Sequence, residues 1–549
     1  MRRLIALASL LVLTGCATLP TQLDIQQGQE LVPAQQQEFS YYSPAGPSEG
    51  ASPQEIVSGF LAAGTGPQND YAVAREYLTE NFAPRWKPDT QTLIRVGVPV
   101  FQSAGESLQI VEINVGAKVD EQGIYQDLSP QETNLRFQLV EEDGEWRISS
   151  APNLTVVTLP VFSVVFNAYP IFFLDTQSSQ LIPDLRWFPS RTSTPTRLVN
   201  AVLSGPAPWL QEMAISAIPT GTALTVNAVR IEESTALVDF DANALQADNR
   251  QRRLMLTQLR ATLLQLAGVA EVAISVNSSP QEIEPALVIG PSTTGATFAL
   301  NQAGVSRLSG SEAGVLSGIS DFVAEQEPTM LAASATGDDF AFVTETGLFW
   351  LVAEGLGSSV LELEDATRPA ELFFDNSGNL WTFPEDARES IRAFDSAGGY
   401  RILEPGTGQV VSAAISPEGS RLAMAVVGEE RTTVQVLGVI RDSTGRPVRL
   451  TGGLEFSPVL GEAISVSWNG STSLRVLERT TSGLTALSEY PLTGPRSQLN
   501  MPPVVGQKLQ SGTTLITSYL LSDQGEVWVL SATSWRRIQL GVLDISTGR

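Results

Sequence analysis

The pattern of apolar and polar positions changes along this 549-residue chain. Residues 17–51 are rich in Gln, Pro, Ser and Gly and carry no apolar period, which predicts a flexible tether. Residues 52–280 mix helical and alternating patterns, as α+β domains do. From residue 285 the helical period stops, and short β-rich runs recur around glycine turns. The pattern therefore predicts two α+β domains, at 52–155 and 161–280, followed by an all-β region at 285–549.

The first α+β domain is predicted to begin with a capped helix. Its signature is a serine followed by proline and, three residues after the serine, a glutamate: Ser52, Pro53 and Glu55. A second helix is predicted over residues 70–82, where four apolar side chains share one face: Tyr71, Ala74, Tyr77 and Leu78. Strand-like runs follow, with a hairpin that turns at Asp143 and Gly144. Helices followed by a curved antiparallel sheet form a cone-shaped α+β fold, and folds of this kind sometimes enclose a ligand pocket. Trp86 and the tyrosines are more simply explained as core residues.

The second α+β domain alternates strands with two helices. The first helix is predicted to start at Ser193 or Thr194 and to stop at Gly205, after a strand-like run over residues 164–175. Two strands surround a turn near residues 232–234. The second helix, over 249–268, carries an apolar face: Met255, Leu259, Thr262, Leu263 and Leu266. Its other face carries a local basic cluster: Arg250, Arg252, Arg253 and Arg260. That cluster is either a solvated helix face or a contact for an acidic partner.

The all-β region repeats at the spacing of four-stranded propeller blades. Five glycines mark its turns, at 41, 41, 51 and 55 residues from one another: Gly337, Gly378, Gly419, Gly470 and Gly525. With one more repeat near residues 295–310, the pattern predicts five to seven blades. Three turns also share a spacing of acid or amide, glycine and tryptophan, with tryptophans at Trp350, Trp381 and Trp528. We interpret these tryptophans as packing between blades, and the alternative is a sugar-binding cleft.

The N-terminus carries an export signal. Arg2 and Arg3 precede an apolar run over residues 4–13, which is too short to cross a membrane, and small residues lead to Cys16. The stretch Leu-Thr-Gly-Cys resembles the lipobox of bacterial lipoproteins. The resemblance implies cleavage after Gly15 and a Cys16 that carries S-diacylglycerol and N-palmitoyl groups. The alternatives are an ordinary signal peptide with a chance cysteine, or a small core thiol.

Composition limits the chemistry that the chain can perform. It has no histidine, one cysteine and a net charge of −25. These values argue against His-based catalysis, transition-metal sites and nucleic-acid binding, so we predict no enzyme activity and no cofactor. The three lysines, Lys87, Lys118 and Lys508, lie in no phosphate-binding loop. A glycosidase that uses carboxylates alone remains the one catalytic alternative.

Motifs throughout the chain resemble the actinobacterial lipoprotein LpqB family. The first domain is similar to the family's N-terminal region through "SPQEIVSGFLAA" and "DYAVAREYLTENFAPRWKP". The second resembles a GerMN domain through "AVLSGP", "ALVDFD" and "TQLRATLLQLAGVAEVAISV". The third is similar to the family's β-propeller through "LFFDNSGNLWTF" and "AISPEGSRLAMAV".

The resemblance implies a non-catalytic accessory protein, lipid-anchored on the extracytoplasmic face of the cell membrane. Its implied partner is the extracellular region of a sensor histidine kinase of the MtrA–MtrB two-component type, which is linked to cell-wall and division control. No catalytic residues belong to the family, so Cys16 is the site residue that carries over. The alternatives to this function are a module that contacts the cell wall by binding its glycan, and a glycosidase that uses carboxylates alone.

Overall fold

The structure is a computed structural model. It describes residues 44–288 and 295–548, apart from 311, 317, 355–356, 364–367, 387, 405–407, 430, 513–516 and 532. Cys16 and most of the predicted tether lie outside these residues. Residues 44–50, which were predicted as tether, instead contact the first domain. The Tyr77 hydroxyl donates to the Ala45 carbonyl at 2.9 Å, and the Gly50 amide donates to the Glu145 carboxylate at 3.0 Å.

The first domain packs one long helix on a five-stranded sheet. Its elements are α1 (Pro53–Ala63), α2 (Ala72–Arg75), β1 (Gln91–Ser103), β2 (Leu108–Asp120), β3 (Tyr125–Glu142), β4 (Glu145–Ser150) and β5 (Thr155–Thr158), with 3₁₀ turns at Ala83–Arg85 and Pro88–Thr90. The strand order in the sheet is β4-β3-β2-β1-β5. The capping box is confirmed, because Ser52 accepts from the Glu55 amide while the Glu55 carboxylate accepts from the Ser52 amide. The hairpin at Asp143 and Gly144 is also confirmed, with positive φ at both residues. β5 pairs with β1, so the first domain extends beyond residue 155.

The second predicted helix was wrong in length. α2 spans one turn because the chain then leaves the helix to pair with β4: the Ile148 amide donates to the Tyr77 carbonyl and the Thr79 amide donates to the Ile148 carbonyl, both at 2.9 Å. The four apolar side chains of the predicted face are nevertheless buried, and Trp86 is part of the same core: Tyr71, Ala74, Tyr77 and Leu78.

The second domain combines a three-stranded sheet with a four-stranded sheet. Its elements are α3 (Leu159–Val165), β6 (Phe166–Asp175), β7 (Leu181–Pro189), α4 (Thr194–Ser204), β8 (Ala214–Ile215), β9 (Arg230–Glu232), β10 (Thr235–Phe240), α5 (Asn249–Leu263), β11 (Glu271–Val276) and β12 (Ser279–Pro280), with 3₁₀ turns at Pro208–Leu210 and Ala242–Gln246. The strand orders are β7-β6-β8 and β12-β11-β10-β9. α5 crosses between the parallel strands β10 and β11 and buries its apolar face.

Two details of the second domain differ from the prediction. Val164 and Val165 belong to α3 and not to the strand, which begins at Phe166. Ser193 precedes α4, but its side chain makes no capping hydrogen bond. The hydroxyl of Thr194 instead accepts from the Arg191 amide at 2.9 Å, so the preceding loop holds the start of the helix. The turn after β9 has positive φ at Glu233 and Ser234, as predicted for a tight hairpin.

The third domain is a β-propeller, and the described residues form six four-stranded sheets. Blade 1 holds β13 (Thr297–Asn301), β14 (Gly304–Ser309), β15 (Glu312–Val315) and the C-terminal β36 (Val542–Thr547). A short helix, α6 (Ser320–Glu325), leads to blade 2: β16 (Met330–Ala333), β17 (Phe340–Val343), β18 (Leu348–Glu354) and β19 (Gly357–Glu362). Blade 3 holds β20 (Pro369–Phe374), β21 (Leu380–Pro384), β22 (Ile391–Phe394) and β23 (Tyr400–Leu403).

The remaining blades follow in chain order. Blade 4 holds β24 (Gln409–Ile415), β25 (Arg421–Val427), β26 (Thr432–Arg441) and β27 (Pro447–Phe456). Blade 5 holds β28 (Gly461–Asn469), β29 (Ser473–Thr480), β30 (Thr485–Pro491) and β31 (Ser497–Leu499), and blade 6 holds β32 (Gly506–Ser511), β33 (Thr517–Ser522), β34 (Val527–Ser531) and β35 (Ser534–Gln539). β36 pairs with β13, so the last strand of the chain closes the ring. The predicted class, two α+β domains before a propeller of five to seven blades, is confirmed.

The glycine markers are not all equivalent. Gly337, Gly378, Gly419 and Gly470 have positive φ in the turn between the first and second strands of blades 2 to 5. Gly525 lies instead between the second and third strands of blade 6, which lengthens the last interval. The amide of the predicted spacing before Trp381 is Asn376, but Asp375 braces this turn instead, since its carboxylate accepts from the Ser377 and Asn379 amides.

Candidate functional site

The structure places the predicted site residues in different settings. Cys16 lies outside the described residues. Of the four arginines on α5, Arg250 and Arg253 are exposed and Arg252 and Arg260 are half-buried. The Arg252 side chain donates to the Ala247 carbonyl at 3.0 Å, within its own domain. This face of α5 therefore points outward, and no site geometry forms around it.

The tryptophans of the repeats pack between blades. Trp350 lies in a core shared by blades 2 and 3, Trp381 in one shared by blades 3 and 4, and Trp528 against one shared by blades 5 and 6. None of the nine tryptophans of the chain, all of which the structure describes, is exposed. The packing interpretation is confirmed for these three residues, and a sugar-binding cleft built on exposed tryptophans does not form.

Charged and polar side chains from several blades meet at the propeller axis. A cavity of about 270 Å³ lies where the six innermost strands begin. Every blade contributes to its lining, and one lining residue from each innermost strand is of interest here: Asp544, Met330, Glu371, Ser412, Ser465 and Lys508 for blades 1 to 6 in turn. We call these six residues the axial ring. They converge because every innermost strand starts at the same end of the propeller.

An ion-pair network crosses the axis. The Lys508 ammonium donates to Asp544 at 2.9 Å and lies 3.1 Å from Glu371, on the opposite side of the ring. The Lys508 side chain is 13% exposed and the carboxylates are 7% or less. Burial would lower the pKa of Lys508, but Asp544 and Glu371 outweigh it and raise that pKa, so the ammonium stays charged. Burial raises the pKa of Glu371, with Lys508 opposing the rise and Asp544 adding to it.

Side chains of the axial ring also join neighbouring blades. The Leu331 amide donates to Asp544 at 2.9 Å, the Val466 amide to Ser412 at 3.2 Å and the Leu509 amide to Ser465 at 3.0 Å. Each acceptor lies one blade before its donor. The ring is therefore held at its axis by polar contacts between blades as well as by apolar packing.

The two axial carboxylates lie close together, as a glycosidase pair does, but the Lys508 ammonium lies between them. Both lie within 3.1 Å of the Lys508 nitrogen, so their nearest oxygens are at most about 6 Å apart. The ammonium occupies the space between them that a scissile glycosidic bond requires. Backbone amides of Leu372 and Ile545 donate to the same carboxylates. This arrangement argues against the glycosidase alternative.

The first and second domains share a polar and aromatic junction. Arg191 and Arg197 of the second domain pair with Asp89 of the first at 2.6 and 2.9 Å. The Arg191 guanidinium also lies over the Tyr71 ring, 5.2 Å from its centroid. Burial is the main cause that raises the pKa of Tyr71, and the nearby Asp89 adds to it.

The second domain also contacts the propeller. The Trp187 indole donates to the Thr493 carbonyl, and the Thr493 hydroxyl donates to the Leu185 carbonyl at 2.6 Å. Trp209 packs against the core shared by blades 4 and 5. A cleft of about 250 Å³ separates the β6–β7 turn from blade 4, and the Gln177 side chain donates across it to the Arg441 carbonyl. The three domains thus contact one another along residues 44–548.

Comparison with protein families identifies the chain. A model of the lipoprotein LpqB N-terminal domain matches residues 46–163, and a model of the LpqB β-propeller domain matches residues 303–544. The chain belongs to the LpqB lipoprotein family. Between these two matches, a Germane model, described as sporulation and spore germination, matches residues 170–282. The three resemblances inferred from the sequence are confirmed, and the LpqB family is one of lipoproteins and not of enzymes.

Curated LpqB relatives cover most of the chain. Lipoprotein LpqB of Bifidobacterium longum is 29% identical over 467 residues, which is 80% of this chain and 78% of the relative. The Streptomyces avermitilis and Thermobifida fusca proteins of the same name are 25% and 24% identical, over 96% and 98% of this chain and 94% and 97% of the relatives. LpqB relatives therefore match this chain along nearly its whole length.

Solved structures outside the LpqB family are similar to single parts of the chain. TolB from Acinetobacter baumannii is 10% identical with a TM-score of 0.33, over 46% of this chain and 66% of that one. The first GerMN domain of the sporulation protein GerM from Bacillus subtilis is 15% identical with a TM-score of 0.19, over 22% of this chain and 94% of that one. The fold assignment therefore rests on the strand pairing above.

Sequence reasoning missed the axial ring. Lys508 stands out in the sequence only as one of three lysines, and nothing near it suggests Glu371 or Asp544 as partners. A helpful signal was that all three charges fall near the start of an innermost strand. Among the described residues, no helix is long and apolar enough to span a membrane, and no three His, Cys, Asp or Glu side chains converge on a metal position.

Proposed function

We propose that this LpqB family member is a lipid-anchored accessory protein of the extracytoplasmic membrane face that modulates an MtrB-type sensor kinase. The observation that carries the proposal is the match of LpqB models on both sides of the second domain. Cys16, with its upstream lipobox, is the proposed lipid attachment site, and the following residues form the tether. The proposed role is binding rather than catalysis, in keeping with a family of lipoproteins.

The contacts between domains support a composite binding surface. Asp89, Trp187 and Thr493 join the three domains, so side chains from all of them keep a stable relation to one another. A partner that contacts two domains at once therefore meets a preformed surface, and this chain loses less conformational entropy when the complex forms. The lipid anchor confines this surface and the kinase to the same membrane, which raises their effective concentration.

Crosslinking in intact cells tests the partner. Cells that express the full chain are treated with a short amine-to-carboxyl crosslinker, and the products are mapped by mass spectrometry. We expect crosslinks between the propeller or the second domain and the extracellular region of the sensor kinase. A Cys16→Ala variant is the control, since it lacks the anchor and should give at least tenfold fewer such crosslinks. Recovery of crosslinks to other proteins only, with none to the kinase, would refute the proposal.

The glycan-binding alternative is tested in parallel. The same protein is mixed with insoluble peptidoglycan, and the bound fraction is measured after sedimentation. We expect the protein to stay in the supernatant, because no tryptophan is exposed to stack on a sugar ring. Saturable binding at micromolar protein would favour the glycan module instead.

Labelling with a fatty-acid analogue tests the anchor separately. The wild-type chain should incorporate the label, and Cys16→Ala should not. Equal labelling of the two chains would mean that the lipid attachment site is not Cys16.

A further inference from the structure

We infer that the open end of the propeller axis binds a peptide segment that carries a lysine or arginine side chain. The basic side chain enters the axial cavity, and the segment lies in a groove between blades 6 and 1. This inference goes beyond the sensor-kinase proposal and does not depend on it. It rests on the accessibility, charge and lining of the axial ring, taken in turn.

The axial cavity faces away from the first two domains. Their contacts with the propeller use the turns between third and fourth strands, at Arg441 of blade 4 and at Thr493 and Arg496 of blade 5. The axial ring lies at the other end, where the innermost strands begin. Because neighbouring strands in a blade run antiparallel, these two sets of residues lie on opposite faces of the propeller. The cavity mouth is therefore accessible in the full described chain.

The charge of the axial ring favours a second cation. Two buried carboxylates share one ammonium, so a single cation serves two acids, and burial, which raises the pKa of Glu371, already disfavours its ionised form. Within the described residues, one oxygen of Glu371 accepts only a 3.5 Å hydrogen bond from Ser412, so it has acceptor capacity left. An incoming ammonium or guanidinium satisfies that oxygen and favours the ionised form of the carboxylate. An incoming anion or apolar group does neither.

The rim of the mouth adds negative charge. Exposed acids lie at this end of the propeller, on loops at Glu327, Glu345, Glu429 and Asp523 and at the start of β28 at Glu462. Three arginines on the same face are each paired with an acid: Arg368 with Glu385, Arg388 with Asp386 and Arg431 with Glu455. Exposed Arg537 pairs in the same way with Glu526, beside the loop between the second and third strands of blade 6, and exposed Arg479 also lies near this face. This excess of acids attracts a basic segment toward the mouth.

A groove leads from the rim to the axial cavity. Its volume is about 620 Å³, and it shares Gln507 and Leu543 with the axial cavity. Four side-chain amides line it: Asn301, Gln302, Gln507 and Gln524. Amides both donate and accept hydrogen bonds, so they match the alternating N–H and C=O groups of an extended backbone. Asp523 lies beside them, and half-exposed Leu543 supplies apolar contact. The groove therefore suits a peptide, and the cavity suits its basic side chain.

Calorimetric titration of the full chain in detergent tests the site. The probes are the peptide acetyl-Gly-Gly-Lys-Gly-Gly-amide, its norleucine analogue and 1,5-diaminopentane. We expect the lysine peptide to bind at least tenfold more tightly than the norleucine peptide, and diaminopentane to bind more weakly than the lysine peptide but to compete with it. Glu371→Gln should weaken the lysine peptide about tenfold and Asp523→Asn about threefold, because each removes one attractive charge.

Matched variants keep the test decisive. Glu312→Gln removes an exposed acid from the outermost strand of blade 1 and should leave the affinity unchanged. If Glu371→Gln does not fold, as judged by circular dichroism, Asp523→Asn and Gln507→Ala serve instead, because both change the exposed groove. Equal affinity for the lysine and norleucine peptides would overturn the inference. Equal affinity for diaminopentane and the lysine peptide would show that the peptide backbone adds nothing to binding, and would contradict its placement in the groove.

Discussion

The second domain and the propeller bury their apolar side chains in different ways. The second domain has one core of its own, in which α4 and α5 cover the sheets. Among the described residues of the propeller, each apolar cluster is instead shared by two neighbouring blades, including one between blades 6 and 1. Stability is therefore local in the second domain and collective in the propeller. Five predictions test this difference, in order of decreasing effect.

The largest effect is expected from opening the ring. A chain that ends at residue 540 lacks β36, and with it the strand that pairs with β13 and carries Asp544. We expect the propeller to lose its cooperative thermal transition and to become sensitive to protease, since blades need both neighbours. A chain that ends near residue 430 should behave in the same way.

A fragment over residues 44–288 should instead remain folded, since it keeps the cores of both α+β domains. Calorimetry and limited proteolysis compare the three chain lengths. A sharp propeller transition in the 430-residue chain would show that blades are stable without ring closure.

Trp468→Ala should destabilise the whole propeller by about 3–5 kcal/mol. Trp468 is fully buried between blades 4 and 5, and its indole donates to the Ala414 carbonyl of the preceding blade at 3.0 Å. Phe173→Ala in the second-domain core is the matched substitution and should weaken that domain alone. Hydrogen exchange measured on individual proteolytic peptides by mass spectrometry distinguishes the two outcomes. Faster exchange confined to blades 4 and 5 in Trp468→Ala would contradict collective unfolding.

Glu418→Gln should cost about 3 kcal/mol at pH 7, because it removes one partner of a fully buried ion pair with Arg421. Burial would raise the pKa of Glu418, but the Arg421 guanidinium outweighs it and lowers that pKa below its usual 4.5. A lowered carboxyl pKa stabilises the fold above the unfolded-state pKa and loses that contribution as pH falls.

The free energy of unfolding of the wild-type propeller should therefore drop below pH 4.5, and less so in Glu418→Gln. Urea titrations at pH 7, 5 and 3.5 measure the difference. A parallel decline in both chains would assign the acid sensitivity to other groups.

Trp187→Phe should have a smaller effect, about 1 kcal/mol, because it keeps an aromatic ring and removes the indole donor to the Thr493 carbonyl. This contact joins the second domain, whose stability is local, to the propeller, whose stability is collective. We expect the thermal transitions of the second domain and the propeller to separate in temperature, as measured by calorimetry. Unchanged overlap would mean that the other contacts suffice to couple them.

Arg449→Ala should have the smallest effect, below about 0.5 kcal/mol. Its ion pair with Glu212 also spans the second domain and the propeller, but both side chains are more than half exposed. The wild type and the variant should therefore unfold at nearly the same urea concentration, at low and at high salt. A loss as large as that of Trp187→Phe would show that surface charge, and not burial, holds this junction.

Local sequence signals predicted the elements that local physics controls. Ser52 and Glu55 form the capping box that their spacing indicates, and Asp143 and Gly144 adopt the positive φ that a tight hairpin needs. The prediction of a helix over residues 70–82 was wrong for the opposite reason. Its apolar spacing is helical, but pairing of Tyr77 and Thr79 with Ile148 ends the helix after one turn, and that partner lies far along the chain.

The sequence by itself determined the domain order, the LpqB resemblance, the propeller class and the burial of the repeat tryptophans. Each of these depends on periods and turns that a short window contains. The tertiary structure alone decided the six-blade ring, its closure by β36 and the meeting of Glu371, Lys508 and Asp544 at the axis. The physical reason is that ring closure, which no local rule encodes, sets distances across the axis. Side chains from distant repeats become neighbours there only after every blade has packed on the next.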